Sequence, residues 1–86
     1  MWVVKNTDTF LKYIKKHKNN KELLDELDKK IKRLKEDPNV IGGMLSGSLH
    51  GYRSTRLTGK FRLIFKIDEE EQTVFLVALD HRGKIY

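Results

Sequence analysis

The hydrophobic period switches at Asp37-Pro38, and no other feature limits the folds open to this chain so strongly. Before it, two stretches repeat apolar residues at helical spacing. Phe10, Leu11 and Ile14 form one stripe, on a helix capped by Thr7 or Asp8 and ending near His17. After a break at Asn19-Asn20, Leu23, Leu24, Leu27, Ile31 and Leu34 form the other, on a helix from about Lys21 to Glu36. Pro38 ends it, because the residue before proline is pushed out of helical geometry. Residues 39–51 hold most of the glycines and read as a long loop. Beyond them the period is two, and residues 52–57, 61–68 and 73–79 read as strands, with another at residues 2–5. Two helices joined by a short turn cannot bury both stripes alone, so they need a sheet to pack on. The expected class is α+β, in the order β-α-α-β-β-β.

A length of 86 residues without repeat or linker implies one domain, 1–86, near the low end of what buries a useful core. There is no cysteine, so neither a disulfide framework nor a thiolate metal site is available. The start, Met1-Trp2-Val3-Val4-Lys5, is too short an apolar run for a targeting signal, and the longest apolar runs are strand-length, so a soluble cytoplasmic protein is expected. The net charge of +6 suits a polyanionic partner. Its distribution says more. Between Pro38 and Ile67 there is no Asp or Glu, while Arg53, Arg56, Lys60, Arg62 and Lys66 all fall there. In the helices, by contrast, lysine is interleaved with acid, as on a solvated surface.

The middle hairpin can be placed in register from burial alone. Phe61, Leu63, Phe65 and Ile67 alternate with Arg62, Ile64, Lys66 and Asp68, so one face is core and the other mixed. A loop of Thr58-Gly59-Lys60 pairs Leu57 with Phe61 on the core face and sets Arg56 opposite Arg62 on the other. A shorter loop, Thr58-Gly59, exposes Leu57; since a one-residue slip exchanges the faces, burial selects the first register. Two arginines directly opposite repel unless an anion lies between them, which marks a candidate anion site. Tyr52 shares their face.

Three segments then carry a resemblance: Gly51-Tyr52-Arg53-Ser54-Thr55-Arg56-Leu57, Phe61-Arg62-Leu63-Ile64-Phe65 and Asp80-His81-Arg82-Gly83-Lys84-Ile85-Tyr86. In this order they resemble the RelE/ParE superfamily of toxins, most of all its RelE and YoeB branches, over essentially the whole chain. The resemblance implies a microbial ribonuclease type of fold, a twisted antiparallel sheet with the helical hairpin on one face. It implies cleavage of messenger RNA, usually on the ribosome, without metal or other cofactor. The ribose 2′-hydroxyl attacks the adjacent phosphate and the 5′-oxygen leaves.

In that pattern Arg62 matches the phosphate-contacting arginine, Arg56 a second arginine of YoeB-like sequences, and Arg82 the arginine of the late motif. Tyr86 matches a C-terminal tyrosine used in proton transfer or stacking, and His81 precedes Arg82 as in many relatives. Arg53, Lys60, Lys66 and Tyr52 are expected to contact RNA. The lysine pair of RelE is replaced by Arg53 and Thr55, and the glutamate base of YoeB falls near Gly42 or Gly43. Tyr86 is then left as the base, and a phenol with a reference pKa of about 10 needs neighbouring cations for that. The implied partners are a RelB-like antitoxin, acidic or amphipathic, together with messenger RNA and the ribosome. Two alternatives stay open: a ParE-like non-nuclease that inhibits DNA gyrase, or an inactive nucleic-acid-binding module. His17 reads as a solvated helix end, and Trp2 as core edge.

Overall fold

A computed structural model describes residues 2–44 and 51–81. The chain runs β1 (Val3–Asn6), α1 (Asp8–Lys16), α2 (Lys21–Glu36), a 3-10 turn (Pro38–Val40), β2 (Gly43–Met44), β3 (Arg53–Arg56), β4 (Phe61–Asp68) and β5 (Thr73–His81). Thr7 caps α1, its hydroxyl accepting the Phe10 amide at 3.1 Å. Asn20 caps α2 through the Leu23 amide, also at 3.1 Å. Both helices carry acid in the first turn and base in the last, which complements their dipoles.

The strands form one sheet in the order β1-β5-β4-β3-β2. Pairing is antiparallel from β2 through β5, as expected, but β1 joins β5 in parallel, so the sheet is mixed. Only a long crossover can join parallel neighbours, and everything between β1 and β5 serves as that crossover. The segment expected as a long loop also differs, since Gly43 and Met44 pair with Ser54 and Arg53 as an edge strand. Two glycines gave no strand signal, and Gly42 enters β2 with φ +73°, where a Cβ would run into the Ser54 carbonyl.

Phe10, Leu23, Leu27 and Leu34 of the helices meet Phe61, Leu63, Phe65, Val74, Leu76 and Leu79 of the sheet in one core. Leu11 lies outside it and stays 47% exposed, while Tyr13 takes the core-side place. With Phe10 at the centre of the buried face, positions three and four on fall over the sheet and the next residue turns away. The two ends of the chain are tied at Thr7: its hydroxyl donates to the Leu76 carbonyl at 2.8 Å and its amide to the same oxygen at 3.2 Å.

Thr7 therefore holds both the helix cap and the β1–β5 seam. Thr7→Val keeps the shape and removes both hydroxyl bonds, and should cost about 1–2 kcal/mol in urea unfolding. Thr7→Ser should restore most of it; an unchanged midpoint in the valine variant would show that the seam does not depend on this hydroxyl.

Candidate nucleic-acid interface

The β3–β4 hairpin closes in the register that burial selected. The Leu57 amide donates to the Phe61 carbonyl at 2.9 Å, both side chains are buried, and Arg56 faces Arg62 across the strands. Thr58 shapes the loop by accepting the Lys60 and Phe61 amides at 3.2 and 3.3 Å. Arg56 is exposed and Arg62 half-buried, on the side of the sheet opposite the helical core.

On β5 the residue opposite Arg62 is Asp80, so one row across the sheet reads Arg56, Arg62, Asp80. Asp80 is half-buried and its Oδ1 is sealed from solvent. The row thus carries its acid at the β5 end, and the Arg56 end is positive. Lys60 stands exposed in the adjoining loop. Two residues along, the next row is Ser54, Ile64 and Ala78; beyond it Lys66 lies opposite Phe75, with its ammonium 5.6 Å from the centroid of the Tyr52 ring.

Not every expected site residue joins this face. Arg53 lies opposite Phe65, on the helix side, where its Nη1 donates to the Asn39 carbonyl at 3.3 Å. It thereby ties β3 to the 3-10 turn. His81 lies opposite Phe61, and its ring meets Phe61 edge-on with centroids 4.9 Å apart. His17 approaches the same ring from α1 at 5.0 Å, so it is a half-buried contact and not a solvated helix end. His81 Nδ1 is sealed from solvent and meets no hydrogen-bond partner among the described residues. His81 thus closes the end of the core and stands apart from the arginine row. Arg82 and Tyr86 lie outside the described residues.

Asp80 and Phe75 were not anticipated, and for Asp80 the reason is a β-bulge. Pairing shifts between Ile64 and Phe65, leaving Val77 as an extra residue of β5. Counting back from the acidic turn without that bulge puts Leu79 opposite Arg62. With it, Leu79 turns into the core and Asp80 comes to the arginines. Phe75 could have been found, since it alternates with the buried Val74 and Leu76.

Comparison with known proteins agrees with this architecture. The chain is 40% identical over 53 residues to the toxin RelG of Mycobacterium tuberculosis, covering 62% of this chain and 60% of that one. It thus spans under two thirds of that relative. Among solved structures it resembles the toxin–antitoxin complex RelBE2 of the same organism, with TM-score 0.70, 28% identity and 94% and 98% of the two chains covered. The YoeB-YefM complex of Staphylococcus aureus shares the fold at TM-score 0.74, with 20% identity and 95% and 98% covered. The family model described as the ParE toxin of the type II toxin-antitoxin system, parDE, matches residues 4–86. On that match, which takes in every described strand and helix but the first residue of β1, the chain belongs to the ParE toxin family, within the RelE/ParE superfamily of type II toxins.

Proposed function

We propose that this chain is the toxin of a type II toxin–antitoxin pair and that it cuts messenger RNA in the cytoplasm. The observation that carries the reading is the facing pair Arg56 and Arg62 on the side of the sheet away from the helices. In the free protein their repulsion has no benefit for stability. A phosphodiester between them carries one negative charge, and attack of the 2′-hydroxyl on phosphorus raises that to two on the phosphorane oxygens. A pair of guanidinium groups on facing strands therefore favours the transition state over the bound substrate, which is what accelerates the step. The bond formed is O2′–P and the bond broken is P–O5′, giving a 2′,3′-cyclic phosphate and a free 5′-hydroxyl.

One proton leaves the 2′-hydroxyl and one reaches the departing O5′. The motif resemblance assigns proton transfer to Tyr86 and a further phosphate contact to Arg82, both just beyond the end of β5. On β5, Asp80 stands opposite Arg62 in the ladder. An antitoxin partner is supported by the RelBE2 neighbour, itself a toxin–antitoxin complex, and a net charge of +6 favours an acidic one. A second reading, a non-nuclease that inhibits gyrase, is favoured by one observation: the matching family model is that of the ParE toxin.

Expression of the wild type and of Arg62→Ala from a controlled promoter, with message ends mapped in each culture, separates these readings. The wild type should arrest growth and make new cuts inside translated codons, and the variant should cut about 100- to 1,000-fold less. Arrest with intact messages would support the gyrase reading; no arrest would leave a binding module. The arginine pair makes a second prediction. At low ionic strength Arg56→Gln should raise stability by about 0.2–0.5 kcal/mol, a gain that shrinks as salt is added. The same variant should flatten the salt dependence of single-stranded RNA binding by about 0.7 in log–log slope. A destabilised variant with an unchanged slope would remove the arginine pair from the site.

A further inference from the structure

Four residues from the arginines, the same side of the sheet carries a second row of different chemistry. Lys66 is opposite Phe75 on β5, Phe75 is opposite Lys5 on β1, and the Lys66 ammonium reaches the Tyr52 ring on β3's approach. Across the sheet, the row is Tyr52, Lys66, Phe75, Lys5, aromatic and cation in alternation. Phe10, Phe61 and Phe65 are sealed in the core, while Phe75 and Tyr52 are only half-buried and both lysines are exposed. Between the two rows lie Ser54, Ile64 and Ala78, with the bulged Val77 beside them, uncharged side chains over which a strand can lie.

We infer that Tyr52 and Phe75 form a stacking platform for the bases of single-stranded RNA, with Lys66 and Lys5 holding the flanking phosphates. This deepens the RNA-cutting reading and rests on it. The rows are about 13 Å apart at ~3.3 Å per residue. One nucleotide cannot touch both, whereas a short single strand with its scissile phosphate at Arg56 and Arg62 can. Aromatic faces flanked by cations match the alternation of base and phosphate in a nucleic acid. A protein segment seated on the same row would have to cover two lysines, which is costly without paired acids. Asp68, at the far end of β4, is drawn into the turn, where its Oδ1 accepts the Glu71 amide at 3.2 Å.

The test is an NMR titration of the full chain with uniformly 2′-O-methylated RNA, which lacks the attacking hydroxyl, as a dinucleotide and as a hexanucleotide. The wild type should bind the hexanucleotide more tightly, with shifts at the Phe75 and Lys66 amides that the dinucleotide does not cause. Tyr52→Leu and Phe75→Leu keep apolar bulk and remove the π face. Together they should lower the ratio of hexanucleotide to dinucleotide affinity by about 10-fold or more. Arg62→Ala should weaken both ligands and leave that ratio standing. If the ratio survives the leucine variants while Arg62→Ala weakens binding, the platform is wrong and the arginine site stands. If the leucine variants abolish the ratio while Arg62→Ala changes nothing, the platform stands and the arginine site falls. Leucine variants that lose affinity for a co-expressed acidic polypeptide, with RNA affinity intact, would assign the row to a protein and overturn the inference.

Discussion

The hydrogen bond from the Leu57 amide to the Phe61 carbonyl settles which side of the sheet every residue of β3 and β4 occupies. A slip of one residue there would bring Arg56 toward the core and expose Leu57, so burial of a few apolar side chains holds the register. The same constraint forces the two arginines to face each other. The candidate site is thus a by-product of core packing on the opposite side of the hairpin, and the core supplies the stability that the charge pair withholds.

A second constraint lies in β5. The bulge at Val77 reverses the facing of residues 78–81, which sends Leu79 into the core, His81 against its edge and Asp80 to the arginine row. His17, Phe61 and His81 then stack edge to face at the end of the core. That stack holds His81, the last described residue of β5, against the core. His81 was expected among the catalytic groups because it precedes Arg82 in the motif; its place opposite Phe61 turns its ring to the end of the core.

Charge is divided between the two halves of the molecule in keeping with their tasks. The helices mix lysine with acid, including a Glu26–Lys29 pair at 3.3 Å on the surface, and such exposed pairs add little stability. The strands concentrate cations on the side of the sheet away from the helices. A chain of this size has little core to spare, so bonds such as those of Thr7 to Leu76, which join residues at opposite ends of the sequence, matter more than in a larger domain.

Much of this is legible in the order of residues alone. Helical stripes, the proline stop, period-two strands and the three-residue hairpin loop all depend on neighbours close in sequence, and each lies within a residue or two of its expected bounds. The facing of Arg56 and Arg62 follows from the same local reasoning. What the sequence by itself determined, then, was the order of the helices and the longer strands, the core faces of α2 and the hairpin, and the arginine pair. Tertiary structure alone decided the parallel seating of β1 on β5, the edge strand at Gly43-Met44, the turn of Arg53 toward Asn39 and the arrival of Asp80 beside Arg62. Each of these depends on a pairing between distant segments or on one bulged residue. Periodicity records which face a residue prefers, but it does not record which strand will lie next to it.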